Sequence, residues 1–193
     1  MSHKEFITRV VEILEKIEIP YMFTGSIGSS FHGEPRATND VDVVITLTQE
    51  QLHKLINSFG NDYYVSESAA YDAFDRHTMF NVIDNKTGWK ADFIILKMRP
   101  FSIQEFKRRK LHQFGDINVF IVSPEDAILS KLEWAKETLS EKQFQDALGV
   151  AVVQWKELDK EYLRIWAVEL NIQGAIENLL NQAEKIQSEK EIL

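Results

Sequence analysis

Two aspartates separated by one residue, Asp40 and Asp42, open the β-branched run DVDVVITL at residues 40–47. In an extended chain alternate residues point to the same side, so the two carboxylates share a face with their Cα atoms about 6 to 7 Å apart. Aspartate is depleted in strands, and two carboxylates in the apolar setting VDVVI repel each other and resist burial. Two arrangements tolerate this. The pair sits at a solvated strand end, with Asp40 and Asn39 in a turn, or a cation neutralises it. A hard divalent ion does so well, because carboxylate oxygens, water and phosphate oxygens make the octahedral shell that Mg²⁺ prefers.

The segments around this strand alternate between sheet and helix. Phe6, Val10, Ile13, Leu14 and Ile17 recur at helical spacing, which predicts an amphipathic helix over 4–17 that ends before Pro20. YMFTGS (21–26) reads as a short apolar strand meeting a glycine, and SIGSSFHG as a short helix that closes at Gly33. After the aspartate strand, TQEQLHKLINSFG has a helical pattern ending on Gly60. Residues 63–66 and 78–84 read as strands, and DNKTG between TMFNVI and WKADFIIL marks a hairpin. INVFIVS (117–123) closes the series.

From Ser123 the pattern changes. SPEDAILSKLEWAKE offers a serine N-cap and a proline at the first helical position, and helical segments follow to the end. The expected fold is α/β: a small mixed, twisted sheet with flanking helices over residues 1–122, then a helical C-terminal segment over 123–193. The 193 residues suffice to bury a core without staples, and the chain has no cysteine, which excludes disulfides and thiolate metal sites. A formal charge of −8 argues against bulk attraction to nucleic acid or anionic membrane. The first residues carry charge throughout, so no signal peptide or membrane partner is expected and the location is read as cytoplasmic.

Gly25 and Ser26 fall between a strand and a helix start, where free N–H groups and the helix dipole favour an anion such as a triphosphate. An ordinary turn explains a lone Gly-Ser pair equally well. Its surroundings add more: Thr24-Gly25-Ser26, thirteen residues, then Asp40-Val41-Asp42-Val43 resembles the signature of the DNA polymerase beta-like nucleotidyltransferase superfamily. The stretch FTGSIGSSFHGEPRATNDVDVVI, with Arg36 and Thr38 before the aspartates, is more similar to the branch of abortive-infection and other toxin-antitoxin nucleotidyltransferases and their bacterial relatives.

The resemblance implies transfer of a nucleoside monophosphate from a nucleoside triphosphate to a hydroxyl, with Gly25 and Ser26 at the phosphates and a two-ion Mg²⁺ site on Asp40, Asp42 and a third carboxylate. Asp92, in WKADFIIL, fits that third position, sharing a face with Lys90 and Ile94. Its bland alternative is a salt bridge to a surface lysine. Arg36 reads either as a phosphate ligand or as a structural partner of the aspartates. On the helical half, Lys131 and Asp146 resemble a lysine and an aspartate of the toxin-like branch that serve the nucleotide. An internal Lys131–Asp146 ion pair is the other reading.

Members that modify small molecules often carry arginine or another polar residue after the serine, whereas Ile27 stands here. The acceptor therefore stays open among RNA, protein and a small, antibiotic-type molecule, and an antitoxin-like protein partner follows only from the toxin-like resemblance. A non-catalytic nucleotide-binding or partner-regulating module is the alternative from another class. The basic cluster Lys97, Arg99, Lys107, Arg108, Arg109 and Lys110 reads as a solvated helix face or a steering patch. The four tryptophans, at 89, 134, 155 and 166, are expected to pack.

Overall fold

The structure, a computed structural model, describes residues 1–35 and 38–191. Arg36 lies outside them. The chain forms two compact units, Met1–Thr24 with Thr38–Ile121, and Gly25–Ala37 with Val122–Leu193.

The first unit is built on a seven-stranded mixed sheet. In chain order its strands are β1 (Tyr21–Phe23), β2 (Asp40–Ile45), β3 (Tyr63–Val65), β4 (Met79–Asp84), β5 (Lys90–Ile95), β6 (Lys110–Phe114) and β7 (Ile117–Ile121). Their spatial order is β3-β4-β5-β2-β1-β7-β6. β2 runs parallel to β5 and antiparallel to β1, which in turn is parallel to β7. The expected hairpin joins β4 to β5, and Asp84 closes its turn by accepting from the Lys86 N–H and the Thr87 hydroxyl.

Helices α1 (His3–Lys16), α3 (Gln49–Phe59), α4 (Glu67–Arg76) and α5 (Pro100–Arg108) complete this unit. α1 begins with a capping box in which Ser2 and Glu5 exchange hydrogen bonds, and it buries Phe6, Val10 and Leu14 completely. α3 starts with the same device, from Thr48 and Gln51. Val41, Val43 and Ile45 of β2 pair in register with Ala91, Phe93 and Ile95 of β5, and all six are buried. Phe59 of α3 packs on Phe93 with ring centroids 5.9 Å apart, so this apolar face is covered by helix. Alternation then assigns Asp40, Asp42, Lys90 and Asp92 to the opposite face.

The second unit gathers α2 (Gly25–His32) with α6 (Pro124–Thr138), α7 (Glu141–Val153), α8 (Lys160–Glu169) and α9 (Gln173–Glu191). Sequence reading left residues 25–35 with the sheet, whereas α2 packs on α6 and α7. His32 Nε2 donates to the Val122 carbonyl at 2.6 Å, and Gln154 donates to the His32 carbonyl at 2.9 Å. A Cβ on Gly33 would stand 2.9 Å from both the Ser29 oxygen and the Val150 nitrogen, so only glycine permits this approach of α2 to α7. The α6 N-terminus is locked by the fully buried Asp126, which accepts from the Ser123 hydroxyl at 2.7 Å and the Tyr162 hydroxyl at 2.7 Å.

Two elements escaped sequence reading. α4 buries only Ala70 and Ala73, too small a stripe to register as helical periodicity. β6 is an edge strand of the sequence KLHQF, whose charged and polar residues mask alternation in the way edge strands commonly do. The basic cluster is spread over the loop before α5 (Lys97), the two caps of α5 (Arg99 and Arg109), its last turn (Lys107 and Arg108) and the first residue of β6 (Lys110). Arg109 is not a solvated residue of a helix face: its guanidinium lies over the rings of Phe106 at 4.1 Å and Phe120 at 5.1 Å. Trp134, expected to pack, is 54% exposed.

Candidate active site

The carboxylates come together through strand register. Asp42 of β2 is the direct neighbour of Asp92 on β5, and Asp40 is the neighbour of Lys90. Residues paired across neighbouring strands project to the same face, so three acidic residues and one lysine share one face of β2 and β5. Asp92 is nearly enclosed, its side chain 8% exposed, while that of Asp40 is 55% exposed. The Thr24 N–H donates to the Asp42 carbonyl at 3.0 Å, which ties the end of β1 beside the aspartates.

Sequence reading puts Lys90 on the same face as Asp92 and gives, as the alternative for Asp92, a salt bridge to a surface lysine. That bridge is present, but it is not peripheral. Lys90 Nζ lies 2.9 Å from Asp92 Oδ2 and 3.5 Å from Asp40 Oδ1, with the lysine side chain 29% exposed. Burial opposes the charge on Lys90. The hydrogen bond and charge of Asp92, with the charge of Asp40, outweigh that penalty and raise its pKa above the usual lysine value.

The other oxygen of Asp92 accepts from Asn81 Nδ2 at 3.4 Å. Asn81 was missed, although the hairpin contains the signal: counting outward from the turn pairs residue 81 with residue 92, as the strands do.

Among the described residues, no three carboxylate or imidazole groups stand close enough to enclose a metal by themselves. The block nonetheless suits Mg²⁺, which binds through one or two carboxylates and takes its remaining oxygens from water and substrate phosphates. Asp42 and Asp92, register neighbours, with Asp40 two residues before, are the residues that would hold such an ion.

Gly25 and Ser26 directly follow Thr24 and form the first residues of α2. Gly25 has φ of +57°, a left-handed conformation that side chains with a Cβ adopt at a cost of about 1 kcal/mol. The strand-to-helix turn thus requires glycine at 25. Gly25 and Ser26 thus stand in the first turn of α2, whose N–H groups have no acceptor one turn earlier in the helix.

Lys131 and Asp146 are joined by an ion pair of 2.9 Å between α6 and α7, with side chains 8% and 11% exposed. The internal pair anticipated from the sequence is therefore formed. Beside it lies a cavity of about 470 Å³ within the helical unit, with Ser29, Glu34, Gln145, Asp146, Gly149 and Lys190 in its wall. No helix among the described residues is long and apolar enough to cross a membrane.

No protein-family model and no curated protein matches the sequence. Solved structures do. The solution structure of the antibiotic-resistance factor ANT(2'')-Ia is similar with a TM-score of 0.57 and 11% identity, over 96% of this chain and 97% of that one. Lincosamide antibiotic adenylyltransferase LnuA, solved with lincomycin, has a TM-score of 0.56 and 12% identity, over 79% of this chain and 98% of that one. An antigenic nucleotidyltransferase-like protein from Paracoccidioides brasiliensis has a TM-score of 0.55 and 16% identity, over 90% and 91%. The chain therefore has the nucleotidyltransferase fold.

Proposed function

We propose that this protein is a Mg²⁺-dependent nucleotidyltransferase that moves a nucleoside monophosphate from a nucleoside triphosphate to an acceptor hydroxyl. One observation carries the reading: on a nucleotidyltransferase fold, Asp42 and Asp92 are register partners on parallel strands, with Asp40 on the same face. A charged block of this kind interrupts an otherwise apolar strand pair, and a structural role alone gives no reason for three acids there.

Asp40 and Asp42 would hold Mg²⁺, with Asp92 completing the oxygen set for a second ion. The bound ions would offset charge on the triphosphate as the α-phosphorus is attacked. Asp92 takes the proton of the acceptor hydroxyl, whose oxygen forms a bond to the α-phosphorus. The bond from that phosphorus to the bridging oxygen breaks, and pyrophosphate leaves with the electron pair. The N–H groups of Gly25 and Ser26 bind the departing phosphates, the role that a helix N-terminus performs well. Arg36 is a further phosphate ligand in this reading. Lys131 and Asp146 border the nucleotide while bracing α6 against α7.

The acceptor follows one of two lines. The resemblance of residues 21–46 to toxin-type enzymes supports an RNA or protein acceptor and an antitoxin-like partner. The similarity in fold to ANT(2'')-Ia, also solved with adenylyl-2''-tobramycin, and to the lincosamide antibiotic adenylyltransferase supports a small hydroxylated molecule. Incubation with each α-labelled nucleoside triphosphate, Mg²⁺ and separate pools of RNA, protein and small molecules tests the proposal. Mg²⁺-dependent label should appear in one pool. Triphosphate binding without transfer to any pool would instead support a non-catalytic nucleotide-binding module.

A further inference from the structure

Both oxygens of Asp92 are engaged, Oδ2 by Lys90 at 2.9 Å and Oδ1 by Asn81 at 3.4 Å. The same ammonium reaches Asp40 Oδ1 at 3.5 Å, so one lysine spans two of the three acids. An ion bound to Asp92 Oδ2 at an ordinary Mg–O length of about 2.1 Å would lie at most about 5 Å from the ammonium already holding that oxygen. With Asp92 8% exposed, little water separates the two cations, and their repulsion is strong.

We propose that Lys90 is an internal counter-cation that competes with divalent metal for Asp40 and Asp92. The ammonium neutralises the acids when no ion is bound and leaves them when one binds. Its unbranched stem makes this exchange feasible without backbone movement, because the side chain is already 29% exposed and can swing its charge to water. Ion binding is weakened by the cost of releasing the lysine. The triphosphate, which brings its own oxygens to the ion, therefore favours loading. This inference rests on the proposed metal role of the aspartates. It differs from a plain structural salt bridge in what removing the lysine does to metal affinity.

The test is Mn²⁺ binding without nucleotide, read from the spin-resonance signal of the free ion, on wild type, Lys90→Met, Lys90→Arg and Asp42→Asn. Lys90→Met should bind Mn²⁺ on the order of tenfold more tightly than wild type, while Lys90→Arg, which keeps the charge, should stay near wild type. In chelator the methionine variant should melt lower than wild type, and it should gain more from added Mn²⁺. Lys90→Gln carries the same expectation should the methionine variant not fold.

If wild type binds Mn²⁺, Asp42→Asn does not, and the neutral Lys90 variants bind no more tightly than wild type, the competition is overturned while the metal site stands. If folded wild type and neutral variants all fail to bind, the metal role falls and the competition with it.

Discussion

Asp42 and Asp92 stand side by side on the parallel strands β2 and β5, two residue pairs beyond Asp40 and Lys90 in the same register. Like charges set at this spacing favour a shared cation. Asp42→Asn should therefore abolish the rise in melting temperature that Mg²⁺ and a triphosphate together give the wild type. A thermal-shift titration measures this, and an undiminished rise in the variant would remove Asp42 from the metal site.

The Lys131–Asp146 pair gives a prediction about stability. Removing either partner leaves a largely buried charge uncompensated, at a cost of about 3 kcal/mol or more. Lys131→Ala and Asp146→Ala should each lower the urea midpoint, and the double variant should lose clearly less than the sum of the two. Additive losses would mean that the pair is not energetically coupled. The triphosphate affinity of Lys131→Ala, measured on the same preparation, reports whether the lysine also serves the nucleotide.

Helix approach in the second unit predicts opposite outcomes for two neighbouring glycines. Gly33→Ala forces a Cβ against backbone atoms at 2.9 Å and should destabilise by about 1–3 kcal/mol. Gly149→Ala, inside α7 with nothing within 4 Å of the added carbon, should be neutral or should stabilise by up to about 1 kcal/mol from helix propensity. Denaturant unfolding of the two variants decides, and equal losses would contradict the packing described.

Much of this arrangement was legible in the sequence because it is local. The strand and its two aspartates followed from β-branched residues and alternation. The DNKTG turn fixed the hairpin, and with it a strand carrying Asp92 beside Lys90. What escaped depended on long-range pairing. Nothing local says that β5 lies against β2, in the register that sets Lys90 beside Asp40 and Asp42 beside Asp92. Nor does local pattern reveal that α2 packs with helices about a hundred residues later, since that depends on Gly33 and on His32 reaching Val122. The resemblance to the toxin-like branch points to Lys131 and Asp146, and in the structure each is the other's partner.

Tyr21 supplies a dependence on pH. Burial, reinforced by the Glu15 carboxylate, pushes its phenol up to about 12. The folded state therefore holds this proton at pH values where the unfolded chain, with a phenol near 10, has lost it. Stability from this group is fully present below about pH 10 and falls as pH rises toward 12, by up to about 2 kcal/mol. Tyr21→Phe should flatten that part of the wild-type stability curve. Parallel slopes for the two proteins between pH 9.5 and about 11.5 would contradict the assignment.

The central claim, that this carboxylate block performs nucleotidyl transfer, is tested most directly by single-turnover transfer on Asp92→Asn and wild type, with triphosphate binding measured on the same samples. A carboxylate that takes the acceptor's proton acts chiefly in the transition state, so the variant should bind the triphosphate with only modest loss. Its transfer rate should drop by about a hundredfold or more, roughly 3 kcal/mol of barrier. Transfer by Asp92→Asn as fast as by wild type would contradict the account.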